Sequence, residues 1–274
     1  MARNESTNPA LTRGPFAQAG RPVGFDRPQY PGAPSTQPGV DPLEQGYYGP
    51  SATSRDTGRM TVEDVIVRTA ILLGVAIVTG AATWVLGLEA LALPAALIGL
   101  VLGLVIAFKQ ITNPVAIISY AAIQGVFLGG ISKFIGGENQ GLIAQAVLGT
   151  TAVAATMLFM YKSGRIRVTP KFTKMVIAGL MGFLALVVVN LVASFFVDGG
   201  LGLRDGSPLA IGFSLLAIGL AAMTLVLDFD FIAKGAEQGV PERYGWYAAF
   251  GLMVTLVWLY IEILRLLSYF SGRE

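Results

Sequence analysis

The chain has 274 residues, 54% of them hydrophobic and only 13% charged, with a formal net charge of +2. A soluble domain normally carries about a quarter charged residues, so this composition points to a membrane protein. The absence of cysteine and histidine excludes disulfides, cysteine nucleophiles, zinc–histidine sites and Ser-His catalysis, and the small net charge gives no footing for nucleic acid.

Residues 1–60 hold nine of the 14 prolines, mixed with Gly, Ser, Gln and Tyr, and their six arginines nearly balance five acids. No apolar period recurs. Such a Pro/Gly-rich stretch cannot bury enough apolar surface to offset its ordering entropy, so it is expected to be a disordered cytoplasmic tail. It also lacks the apolar core of a signal peptide.

From Thr61 onward seven apolar runs follow: Val65 to Leu88, Leu91 to Phe108, Pro114 to Lys133, Gly141 to Tyr161, Lys174 to Val197, Pro208 to Ile232 and Trp246 to Phe270. Each is close to the ~20 residues that cross a bilayer as a helix. Glu89 is the only charge between the first two runs, which together are too long for one helix. The predicted fold is all-α, a polytopic bundle of seven transmembrane helices over 61–274; six spans plus a re-entrant segment is the fallback.

Basic residues near the span ends are unequally shared. One side collects Arg55, Arg59, Lys109, Lys162, Arg165, Arg167, Lys171, Lys174, Lys234 and Arg243; the other has Lys133, Arg204 and Arg273. The positive-inside rule then puts the N-terminus in the cytoplasm of a cell (plasma or inner) membrane. Tyr244, Trp246 and Tyr247 are expected to anchor the cytoplasmic face. Lys162 to Arg167 reads as an ordinary positive-inside loop, with a grip on anionic lipid as the sharper alternative.

Polar groups within a span are costly and need an account. Arg68 is expected to snorkel to the headgroups, and Asn190 to bond between helices. Asp228 and Asp230, near the end of the sixth span, differ by about 200° of helical rotation, so they cannot share a face. Asp228 is the deeper; Asp230 can pair with Lys234 at i+4. Glu262 lies in the apolar run Leu259-Tyr260-Ile261-Glu262-Ile263-Leu264. Arg265, at i+3, can neutralise it locally. Alternatively, Glu262 faces an acid on another helix, and the two share a proton as a histidine-free pH sensor. That pairing is easier if Glu237 to Ala249 lies in the interface and the seventh span begins near Gly251.

The third span opens with Asn113 before Pro114, a good helix start. Tyr120 and Gln124 share a face, and Gly125 and Gly129 form a small-residue seam for a neighbouring helix.

These stretches carry a resemblance. Asn113-Pro114, Tyr120, Gln124-Gly125 and Leu128-Gly129, the Asp228-to-Ile232 segment and Leu259 to Leu264 together resemble the transmembrane Bax inhibitor motif family, in its bacterial Bax inhibitor-1/YccA-like branch. The resemblance covers roughly Thr61 to the end, with the tail outside it. It implies a central last helix wrapped by six others and a pH-sensitive calcium leak gated by acids on helices six and seven. Asp228 matches the helix-six acid, and Glu262 is placed at the helix-seven acid, one methylene longer than the usual aspartate. Gln124 stands where related sequences often carry an acid.

The leading reading is therefore a proton-regulated calcium (cation) leak channel. Asp228, Glu262 and Asp230 would be the ion-binding and gating residues, with Arg265, Gln124, Tyr120 and Asn113 in support. The expected partners are the lipid bilayer, protons and Ca²⁺, the last as transported ion; no resident metal or cofactor is implied. The alternative is a membrane-embedded regulator of a quality-control protease or stress-response partner, as YccA-like relatives suggest, engaged through the tail. No nucleotide loop, zinc-protease motif or Schiff-base lysine in the last span supports an enzyme.

Overall fold

The structure, a computed structural model, describes residues 58–137, 139–197 and 199–271. Seven helices account for nearly all of them: α1 Val62–Val85, α2 Ala92–Lys109, α3 Pro114–Gly136, α4 Gln140–Lys162, α5 Pro170–Ala193, α6 Pro208–Glu237 and α7 Tyr244–Ser271. Each expected span corresponds to one helix. All seven, the second taken with its short 3₁₀ lead-in Glu89–Leu91, are long and apolar enough to cross a membrane, so the re-entrant fallback is not needed.

The helix starts are written locally. Thr61 and Asp64 form a reciprocal capping box at α1, satisfying two orphan amides of the first turn. Three further helices begin with a polar cap followed by proline: Asn113-Pro114, Thr169-Pro170 and Ser207-Pro208. In each, the side-chain oxygen accepts a backbone N–H of the first turn, while proline occupies a position whose amide has no helical partner.

Helix α7 is the axis of the bundle. It packs against α1, α3, α4 and α6 and buries twelve residues along its length, among them Met253, Leu259 and Leu264. Helix α5 is the outlier: it leans on α6 and buries only Val176, leaving Leu184, Val188, Val189 and Leu191 facing outward, as lipid-facing residues would. The α1–α3 seam is the closest approach. A Cβ on Gly125 would collide with Ala76 and Thr79, and one on Gly129 with the Gly80 carbonyl. The Gly125/Gly129 pair therefore serves backbone contact.

Three expectations are corrected. The tail boundary is too late, because Gly58, Arg59 and Met60 are described, Met60 is buried, and Arg59 forms a β-bridge with Pro241; the remainder of the tail, with Arg55 and Arg273, lies outside the described residues. Helix α7 runs unbroken from Tyr244 and contains the expected run Trp246 to Phe270. Arg68 does not snorkel: it donates to the Glu242 carbonyl at 2.6 Å, pairs with the Glu242 carboxylate and lies over the Trp246 ring. Asn190 reaches the loop after its own helix, accepting from Leu201 N at 2.9 Å. In both cases a polar group found a loop partner distant in sequence or beyond the helix end, which span-by-span reading does not reveal.

Candidate functional site

Helices α6 and α7 run antiparallel and meet along most of their length. Nine residues before the end of α6, about 13 Å along the axis, Asp228 points into the bundle, and its Oδ2 accepts a 2.7 Å hydrogen bond from the Thr255 hydroxyl of α7. Asp228 also lines a cavity of about 520 Å³, together with Asp230, Leu227, Phe231, Lys234, Met60, Val240 and Tyr244. The cavity lies at the end of the bundle where α1, α5 and α7 begin. Asp228 stands deep in its wall, with the Thr255 contact on the side of α7.

Glu262 is elsewhere. It is 3% exposed, and its Oε1 takes a 2.7 Å ion pair from Arg265 one turn along the same helix. Its Oε2 has no hydrogen-bond partner among the described residues. Glu262 is seven residues past Thr255, on nearly the same face but about 10 Å higher. The antiparallel register explains why the two acids do not meet. Asp228 opposite Thr255 and Ser214 beside Tyr269 fix one alignment of the two helices, and in it Ala221 stands level with Glu262. An Asp228–Glu262 contact would require a slip of about two turns. No hydrogen bond joins the two acids among the described residues, so the shared-proton pair expected from the sequence is not formed. The helix-seven position that faces Asp228 is Thr255.

The sequence missed Thr255 because a threonine in a span reads as neutral. Its signal was its place one heptad before Glu262 on the same face, a lone hydroxyl among Val254, Leu256 and Val257.

The remaining expected residues sort by depth. Asp230 turns to the rim of the cavity, paired with Lys234 at 2.6 Å and approached by the Tyr161 hydroxyl at 3.4 Å. At the level above Glu262, Arg204 from the α5–α6 loop interacts electrostatically with Glu262, Arg265 and Tyr269. The adjacent Asp205 carboxyl is held below the usual carboxylate range by hydrogen bonds from Ser207. Gln124 donates to the Tyr120 hydroxyl at 2.9 Å. Tyr120 sits edge-on against Phe250 of α7 and Gln124 packs over Gly99 of α2, so this pair braces α2 and α3 against the core. Asn113 acts as the α3 cap. None of these three reaches Asp228. No group of three or more Asp or Glu side chains that could hold a metal ion exists among the described residues.

Residues 8–272 match the family described as Bax inhibitor 1 like. The chain belongs to that family. With seven apolar helices, it is a multi-pass membrane protein. The match starts more than fifty residues before Thr61, so it takes in most of the segment that the resemblance had left outside. No curated protein matches the chain in sequence.

Proposed function

We propose that this protein is a proton-sensitive cation (calcium) leak channel of a cell membrane, with its N-terminus in the cytoplasm and its closed constriction at the Asp228–Thr255 contact. The observation that carries the reading is the Asp228 carboxyl, set deep in the wall of a cavity that is otherwise largely apolar and bonded across the helix interface to the axial helix. Carboxylate, hydroxyl and carbonyl oxygens are the ligands a calcium ion accepts in place of water. Asp228, Thr255 and the Gly251 carbonyl, which Thr255 also approaches at 3.4 Å, supply such oxygens at the contact, and Asp230 supplies another at the rim of the cavity.

Proton sensitivity follows a different rule from that of an acid pair. Two facing carboxyls attract while they share a proton and repel once it leaves. A carboxyl facing a hydroxyl keeps its hydrogen bond in both states, because the hydroxyl donates to the ionised acid and accepts from the protonated one. The charged and titratable groups that share the cavity with Asp228 are Asp230 and Lys234 on α6 and Tyr244 at the start of α7, with Tyr161 of α4 reaching Asp230. The reading therefore gives a shallow pH response centred on one group.

The test is Ca²⁺ flux into proteoliposomes between about pH 6 and pH 8. The wild type leaks, Asp228→Asn loses the pH dependence, and Glu262→Gln retains it. An Asp228→Asn protein with unchanged flux and pH profile overturns the assignment of the constriction. No flux above that of empty liposomes overturns the channel itself and leaves the protease-regulator reading.

A further inference from the structure

We infer that residues 58–60 are a removable wedge seated in the α6–α7 corner, and that their release opens the cavity leading to Asp228. The inference rests on the channel reading for its consequence but not for its geometry. Gly58, Arg59 and Met60 run antiparallel to Val240, Pro241 and Glu242, joined by Met60 N to Val240 O and Glu242 N to Gly58 O, both 2.8 Å. Met60 is 3% exposed and lines the same cavity as Asp228.

Three glycines shape the seat. A Cβ on Gly235 would run into the Met60 methyl, and one on Gly245 would meet both the Met60 side chain and the Arg68 guanidinium. Gly239, at φ +68°, turns the corner beneath the Arg59 side chain, a conformation that L side chains rarely adopt. From α1, Arg68 then locks the corner by holding the Glu242 carboxylate and carbonyl. The corner lies between Asp228 on α6 and Thr255 on α7, so whatever fixes its angle also fixes that contact.

The wedge is built to leave. It lies before the first turn of α1 and is itself held by two backbone hydrogen bonds and one apolar side chain, while the partly exposed Arg68–Glu242 pair holds the corner it sits in. Segments held this way open at far lower cost than a helix core. The preceding residues of the chain join it directly, so a force or ligand acting on them would act on the wedge.

The natural absence of cysteine makes the test clean. Arg59 and Pro241 form a non-hydrogen-bonded antiparallel pair, where Cα atoms lie about 4.5 Å apart, within disulfide reach. In the full-length Arg59→Cys/Pro241→Cys protein, oxidation should suppress Ca²⁺ flux several-fold and reduction restore it; equal flux in both states, at levels above empty liposomes, overturns the wedge as a gate. Independently of flux, a Leu227→Cys probe in the cavity wall should react with a soluble maleimide several-fold faster when Arg68→Gln is added, and return toward the slow rate with Arg68→Lys, which keeps a cationic donor for the Glu242 carboxylate and carbonyl. Unchanged reactivity overturns the wedge. A change in reactivity in a protein that carries no Ca²⁺ leaves the wedge standing and removes the channel reading instead.

Discussion

Helix α7 carries two polar levels of opposite character about 10 Å apart. At the lower level, Thr255 bonds across a helix interface to Asp228; at the upper, Glu262 bonds to Arg265 on its own helix. The second contact survives any rigid movement of α7 because both partners travel together. The first is broken as soon as α6 and α7 part. A contact between elements can report their separation, and a contact within one element cannot. By depth and burial alone Glu262 is the more conspicuous acid, yet its partner makes it part of the scaffold.

The largest effect expected from this comparison is on stability at the upper level. Arg265→Met removes the hydrogen-bonded cation of the buried Glu262 carboxylate and leaves it only the longer-range attraction of Arg204; breaking a buried pair costs up to about 3–5 kcal/mol. Thermal unfolding in detergent should show the loss, and Glu262→Gln/Arg265→Met should recover most of it. If the single and double variants unfold alike, the upper pair is not the scaffold element described.

Next comes a change at the lower level that rebuilds what the sequence led one to expect. Thr255→Asp sets a second carboxyl against Asp228. A coupling of one pK unit corresponds to about tenfold in population, so flux should rise steeply with pH in this variant, by on the order of tenfold more than in the wild type. A profile indistinguishable from wild type would mean that the lower contact is not the constriction. Thr255→Val removes the hydrogen bond without adding charge. It gives up about 1.5–3 kcal/mol of charge-assisted bonding and should raise flux at every pH without steepening the profile.

The contrast between the two levels also marks what was legible in the sequence. Spans were readable because 20-residue apolar runs leave little choice in a bilayer, and the start of α3 is signalled by Asn113-Pro114, whereas the apolar run alone starts the fifth span at Lys174, inside the helix that Thr169-Pro170 opens. Short-range pairs were readable for the same reason: Asp230–Lys234 and Glu262–Arg265 follow from spacings of four and three on a helix. Pairings between helices were not. Which residue of α7 faces Asp228 depends on the relative height of two helices, and a heptad slip preserves the face while changing the partner from Thr255 to Glu262. Arg68 met the same limit, since its partner Glu242 lies 174 residues away.

The smallest effect is the sharpest control on the comparison. The Tyr260 hydroxyl bonds Ser132 of α3 at 2.8 Å, at a height between the two levels and toward a different helix. Tyr260→Phe keeps the ring, its packing and the charge. It removes one neutral hydrogen bond worth about 1 kcal/mol while leaving the Ser132 hydroxyl, which can turn to a backbone carbonyl of its own helix. Stability should therefore fall slightly, and the Ca²⁺ flux and its pH profile should match wild type, because α3 and α7 do not separate Asp228 from Thr255. If Tyr260→Phe shifts the profile as far as Thr255→Val does, the response is a property of the whole α7 packing rather than of the Asp228 level, and the division between a mobile contact and a scaffold contact on this helix is lost.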